Sequence, residues 1–534
     1  MAYEDLVDLV GRAMPVDEFV DRITMMGSGP EGVRDGILTF DVFPNRPDMY
    51  SVEGIARGLR GYLGLETGLP SFSVRPSGIE LRVDGSVADV RPYAVGGIVR
   101  GVELEDRLLQ SLVDLQEKLH LTLGRRRRKV AIGIHDLDKV RPPFTYRAVP
   151  PYSVRFTPLG TAEEMDLLTI LARHEKGREY AHLVADRPLF PVITDARGAV
   201  LSFPPVINGV LTALTPDTEN LFIDVTGTDF EAVRGALNIL SSSLAERGGR
   251  IESVRTAYPD RVHDTPDLTP HAQSLDLDRA NALLGLTMGP DQAVGLLKRM
   301  RYDARAEGTT IHVLAPAYRT DILHPVDVAE DLAIAWGYDR YARQLPRRQT
   351  IGEAHPLNDL SEVLRVLLIG YGYQEIMSLS LSGPAEPYDS PDRITVRNPV
   401  TSDFDRLRST LVPSLLTILR LNKHRELPQR IFEVADVVVD SRNVRRIAAA
   451  TIHHKASFTE AKSLVLSVLR DLGRSGEVEP AEDANYIPGR IATVHADGRE
   501  VGRFGEVHPR VLEGYGLVQP AIACELDVAV LPGF

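Results

Sequence analysis

The sequence has 534 residues, of which 43% are apolar and 25% charged, with a formal net charge of −13 and one cysteine, Cys524. That length is more than one hydrophobic core serves and sets an expectation of roughly three or four domains. The lone cysteine excludes an internal disulfide or a cysteine-built zinc site and points to a reducing cytoplasm, and the acidic balance excludes a surface that wraps nucleic acid broadly, so any such contact is expected to be local or to belong mostly to a partner.

No run approaches the ~18 uninterrupted apolar residues of a membrane span. Met1–Val10 carries three acids and no basic residue, unlike a secretory leader. Up to about residue 69 the pattern is that of a small α/β unit: Asp35-Gly36 is a turn signal before a strand-like run over 37–42, and Ser51 suits the cap of a helix ending near Gly61 or Gly64. Prolines and serines over 70–77 mark a linker candidate. From 79 to 251 short strands mix with helices. Val130–Ile134 and Phe222–Thr226 read as buried strands, 108–119 and 230–245 as helices, and Asp229 follows the second strand where it can cap the next helix. Between them Pro204-Pro205 enforces extended backbone and withholds two N–H donors. The dense basic run Arg125-Arg126-Arg127-Arg128-Lys129 reads chiefly as a solvated loop before a buried strand; the sharper alternative is a phosphate-contacting patch.

Residues 256–270, rich in proline, aspartate and threonine, read as a linker. Helices follow over 278–284 and 290–300, then a hairpin-like segment, then a helix from Pro325 to Trp336, which Gly337 stops. Four carboxylates gather here: Asp327, Glu330 and Asp331 at helical i, i+3 and i+4 spacing, with Asp321 just before the helix. Oxygen-only ligands suit Mg²⁺ or Ca²⁺; the plainer alternative is an acidic solvated face. Ile334 shares that face and is expected to meet a partner. The remainder, from about 353, alternates helices (357–369, 411–423, 459–472) with strands (431–439, 447–452, 524–530), as an α+β domain on an antiparallel sheet does. Adjacent His453 and His454, read on a strand, face opposite ways and make a poor metal pair. Neither a phosphate-binding Gly-x-x-x-x-Gly-Lys loop nor a Gly-x-Ser-x-Gly elbow occurs.

The acidic helix with Trp336-Gly337-Tyr338-Asp339 resembles the metal-ligand domain of phenylalanyl-tRNA synthetase β subunits. Asp41–Asp48 with Ser51–Arg57 resembles the N-terminal domain of their archaeal and eukaryotic type. Ala131–Asp136 and Leu201–Asn208 resemble its second domain, and Arg397-Asn398-Pro399, Arg408–Leu416 and Phe504–Pro509 its last. The likeness is collinear over essentially the whole chain, whose length also fits that type, since the larger bacterial subunits add domains with no match here. It implies an α+β multidomain protein: an N-terminal α/β domain over 1–75, an α/β editing domain over 79–255, a winged-helix-like metal-ligand domain over 268–348, and a class II synthetase-like antiparallel sheet domain lacking catalytic motifs over 353–534.

The resemblance further implies a cytoplasmic (αβ)₂ ligase in which the α subunit holds phenylalanine and ATP and charges tRNA(Phe). Arg430–Val434 keeps only a shadow of the class II ATP-holding strand, and Gly502–Glu506 lacks the glycine-rich helix entry, so this chain alone is expected to make no adenylate. Asp321, Asp327, Glu330 and Asp331 are implied as Mg²⁺ ligands. The second domain is implied to hydrolyse Tyr-tRNA(Phe), with Ser202, Asn208, Asp224 and Thr226 as substrate contacts. Turn and strand-end hydrogen bonding is the plain alternative for Asn208, Asp224 and Thr226. A non-enzymatic RNA- or protein-binding scaffold of the same descent, and a Mg²⁺-dependent phosphohydrolase built on the acidic cluster, are the other readings.

Overall fold

The computed structural model describes residues 1–346, 350–390 and 393–531. The expected boundary at Arg348 and the terminal Phe534 lie outside them. The chain forms two compact units, Met1–Gln344 and Leu345–Phe534.

In the first unit, helices Tyr3–Val10, Val16–Met25 and Val52–Tyr62 surround the hairpin of strands Ser28–Arg34 and Ile37–Val42. Ser51 caps the third helix by accepting from the Gly54 N–H at 3.3 Å. Its Ile55 and Leu59 pack with Leu6, Phe19, Leu297 and Leu332, so one apolar core serves both this segment and residues 275–335. There, strands His271–Asp276, Asp303–Glu307 and Thr310–Ala315 form an antiparallel sheet carrying helices Leu277–Leu284, Pro290–Arg299 and Pro325–Trp336. Ile334 is buried in that core, and the expectation that it meets a partner is corrected.

Between them in sequence, residues 74–265 form a ten-stranded mixed sheet. Nine of its strands run in the order Ile207–Asn208, Val200–Phe203, Phe190–Thr194, Phe144–Val149, Val74–Val83, Arg250–Ala257, Tyr93–Arg100, Asn220–Gly227 and Val130–Asp136, and the tenth, Val262–Thr265, lies off this path. Two linker expectations are corrected. Val74–Val83 is a central strand, and Val262–Thr265 pairs antiparallel with Arg250–Ala257. The prolines mislead because the Thr265 hydroxyl, donating to the Gly96 carbonyl at 2.7 Å, ties the segment down. Helix Asp106–Leu121 buries Leu108, Leu112, Leu115 and Leu119 along one stripe, and Asp229 caps helix Phe230–Ala245 by accepting from the Ala232 N–H at 2.9 Å.

The second unit is built on a seven-stranded sheet with central strands Gln429–Val439, Arg442–Ile452, Ala521–Asp527 and Arg499–Val507. Helices Pro356–Gly370 and Phe458–Asp471 contribute to one core cluster and helix Val412–Leu421 to another. His453 and His454 follow the strand rather than lying in it, and His453 Nε2 pairs with Glu460 at 2.9 Å.

Candidate functional site

The sheet's two end strands, Ile207–Asn208 and Val130–Asp136, line one cavity of about 390 Å³, so the sheet curls until its ends face each other. Ser202, Asn208, Asp224 and Thr226 all border that cavity. Ser202 and Asn208 are cross-strand neighbours on one side; Asp224 and Thr226 share the inward face of Asn220–Gly227 on the other. Ser202 is 2% exposed, and its hydroxyl has no hydrogen-bond partner. A buried hydroxyl in that state costs about 1–3 kcal/mol, which a bound ligand would relieve.

Asp224 is held from behind. Its Oδ2 lies 2.7 Å from His135 Nε2, and His135 Nδ1 lies 2.7 Å from the Thr212 hydroxyl. The carboxylate accepts the Nε2–H, and the hydrogen bond between Nδ1 and the Thr212 hydroxyl fixes the ring from its other side. Gly133, opposite Asp224, makes this pair feasible, because a Cβ there would lie 2.1 Å from Asp224 Oδ2. Thr226 accepts at its hydroxyl from Arg91 Nε (2.9 Å) and at its carbonyl from Arg91 Nη2 (2.6 Å), keeping its own hydroxyl hydrogen to donate. Burial pushes Arg91 down to about 10, so it stays a cation at neutral pH.

Helix Asp106–Leu121 turns its other face, with Gln116, Glu117 and His120, to the cavity. His120 Nε2 accepts from the Ile132 N–H at 2.8 Å, and the ring's Nδ1 lies 3.1 Å from Glu117. Burial presses His120 down to about 4, so its imidazole is neutral, and the hydrogen bond from His120 holds Glu117 down to about 2. Arg127 bridges the sheet ends: it donates to Glu117 (2.7 Å) and to the Val206 carbonyl (2.9 Å), with its guanidinium over the Tyr180 ring at 4.4 Å. The sequence reading singles out none of His135, Thr212, Glu117 and His120, and includes Arg127 only within the basic run whose sharper alternative is a phosphate-contacting patch. The available signal was the alternation in Ala131, Gly133 and His135, which puts His135 on the face that Asp224 shares.

The four carboxylates of the acidic segment do not converge. Arg319 Nη2 pairs with Asp321 at 2.7 Å and Arg319 Nη1 with Asp331 at 2.8 Å, and the Tyr302 hydroxyl donates to Asp331 at 2.6 Å. Asp331 is 3% exposed. The solvated-face alternative therefore fails for this residue as well. Asp327 caps the helix, accepting from the Leu323 and His324 N–H groups at 2.9 and 2.7 Å, while Glu330 points to solvent. A divalent ion needs several oxygens turned to one point. Here a guanidinium already stands between two of them, and among the described residues no three acid, histidine or cysteine side chains converge on a metal position. As arranged, these residues do not fit a divalent ion.

In the second unit Glu433, the acid of the class II shadow, accepts from the Ser378 N–H (3.1 Å), the Ser378 hydroxyl (2.6 Å) and Arg408 (3.1 Å). Arg430 pairs with Glu460 at 3.6 Å. Both residues of the strand that the sequence offers as a shadow of an ATP-holding one have partners inside the unit.

A multidomain chain with a polar pocket on a curled mixed sheet and a second unit on a mostly antiparallel seven-stranded sheet fits an aminoacyl-tRNA synthetase subunit, and its relatives agree. Residues 102–262 match the B3/4 domain model, 273–338 the tRNA synthetase B5 domain, and 342–528 the phenylalanyl tRNA synthetase beta chain CLM domain. The phenylalanine–tRNA ligase beta subunits of Methanothrix thermoacetophila and Archaeoglobus fulgidus are each 43% identical to it, covering 99% of this chain and 99% and 97% of theirs. A crystal structure of an N-terminal fragment of the Pyrococcus horikoshii phenylalanyl-tRNA synthetase beta subunit superposes with a TM-score of 0.61 at 43% identity, over 63% of this chain and 98% of that one. The chain belongs to the phenylalanine–tRNA ligase beta-subunit family. Its role is that of a ligase subunit in Phe-tRNA synthesis, which entails an α-subunit partner and tRNA binding. Among the described residues no helix is long and apolar enough to cross a membrane.

Proposed function

We propose that, beyond its part in synthesis, this chain hydrolyses Tyr-tRNA(Phe) in the curled-sheet cavity. The carrying observation is the partnerless, buried Ser202 hydroxyl facing the same cavity as Asn208, Asp224 and Thr226. The volume falls within the ~300–1,000 Å³ of small-molecule sites. A pocket built for phenylalanine rejects an added hydroxyl poorly, whereas one built to hydrogen-bond that hydroxyl rejects its absence well. Asp224, oriented by His135, supplies an acceptor for a phenol O–H; phenylalanine would leave the buried polar groups unpaired. Water attacks the ester carbonyl, the acyl C–O bond breaks, and the ribose oxygen leaves with a proton. Asp224→Ala should lower Tyr-tRNA(Phe) deacylation by about 100-fold, the loss of a charge-assisted hydrogen bond of roughly 3 kcal/mol. Unchanged deacylation would overturn the assignment.

Synthesis belongs, in this reading, to an (αβ)₂ assembly whose α subunit binds ATP and phenylalanine in the cytoplasm. The internal engagement of Glu433 and Arg430 supports it. Ligation in this family is generally magnesium-dependent, but Asp321, Asp327, Glu330 and Asp331, as arranged, supply no site for the ion. The scaffold alternative is disfavoured by a match to ligase subunits over nearly the whole chain.

A further inference from the structure

The basic run before strand Val130–Asp136 is not an ordinary loop. Arg125, Arg126 and Arg127 adopt φ of 48°, 55° and 64°, three consecutive left-handed residues, none of them glycine. L-residues resist that conformation, and such strain persists only where surrounding structure imposes it. The imposing contacts are present. The Gly124 N–H donates to the Leu119 carbonyl at 2.7 Å, the Arg127 N–H to the His120 carbonyl at 3.1 Å and the Lys129 N–H to the Gly124 carbonyl at 2.7 Å. Arg91, which grips Thr226, also donates to the Arg128 carbonyl at 3.1 Å, tying the turn to the cavity floor. Arg127 is the inward anchor, and Lys129 pairs with Asp229 at 3.2 Å. Arg125, Arg126 and Arg128 point to solvent and make no ion pair among the described residues. Arg127 lines the cavity, so these three exposed cations flank a cavity residue in the chain, on a protein whose net charge is −13.

We propose that this turn is the cavity's phosphate receptor, holding the backbone of a single-stranded RNA 3′ end so that its terminal ester enters between the sheet ends. The proposal rests on the hydrolytic reading of the cavity. A turn held in a strained conformation, with three exposed guanidiniums that make no ion pair among the described residues and a fourth that lines the cavity, fits recognition of a flexible polyanion. Guanidinium forks suit phosphate oxygens at any base sequence.

The test uses the complex with its α partner and compares wild type with R125G/R126G/R128Q. Glycine accepts the left-handed conformation, so this variant removes charge without forcing the turn to change. Two substrates are followed, Tyr-tRNA(Phe) and 3′-O-tyrosyl-adenosine, which carries the same ester but no phosphate. Three single-strand phosphate contacts contribute a salt slope of about −2, so the variant should lose on the order of 100-fold in kcat/KM on the tRNA ester at 0.1 M salt. Its logarithmic salt slope should flatten by about 2, and hydrolysis of the adenosine ester should be unchanged. Equal tRNA deacylation and an equal slope would overturn the proposal, as would parallel loss on both substrates, which would mean the turn shapes the cavity instead. A wild type that hydrolyses neither ester would remove the cavity reading itself, a result distinct from either.

Discussion

His120 shows how one buried side chain couples this site to acidity. Its imidazole is pressed down to about 4 by burial, against an ordinary value of 6.5. The unfolded chain therefore binds a proton that the folded chain refuses between those two values. Stability from this residue is complete above pH 6.5 and is lost progressively as pH falls toward 4, on the order of 3 kcal/mol over that window. His120→Gln keeps a side chain able to accept from the Ile132 N–H but does not titrate. Its urea midpoint should lie below wild type at pH 7.5 yet decline less steeply down to pH 4.5; parallel curves would contradict the assignment. At this scale the pocket was partly legible. Asp224 and Thr226 stand out as polar residues in a run of apolar strand positions, and Ser202 and Asn208 flank a double proline. His135 and Thr212 did not stand out, because they gain meaning only when the two sheet ends meet and Thr212 comes within 2.7 Å of a residue 77 positions away.

Among the elements, helix Pro325–Trp336 has the bounds that its proline start and glycine stop predict. What the spacing did not reveal is Arg319, which enters from the preceding loop and takes the place a cation would have between Asp321 and Asp331. Removing one partner of a buried ion pair costs about 3–5 kcal/mol. Arg319→Met should therefore destabilise the first unit by that order, and Mg²⁺ should restore part of the loss by replacing the missing positive charge. The wild-type melting temperature should not respond to EDTA; a clear drop on chelation would restore the metal-ligand reading. The segment 256–270 fails for a related reason. Proline-rich composition suggested a linker, but Thr256 and Thr265 are buried where the strand lies against its neighbour. Strands Tyr486–Ala496 and Arg499–Val507 were not anticipated, although Asp497-Gly498 between them is a hairpin signal.

Over the whole molecule, the order of the motifs is what made the family legible, and the curl of the ten-stranded sheet is what made the site. In the second unit Glu433 and Arg430 are internally paired, whereas the first unit holds the cavity with a partnerless hydroxyl. We therefore propose that synthesis falls to the α subunit and proofreading to this one. The most direct measurement is the accumulation of Tyr-tRNA(Phe) by the complex assembled with its α partner, supplied with tyrosine, ATP and tRNA(Phe). Wild type should accumulate almost none, while Asp224→Ala should charge phenylalanine at the wild-type rate and build up Tyr-tRNA(Phe). Equal accumulation of the mischarged product by the two complexes would contradict the account.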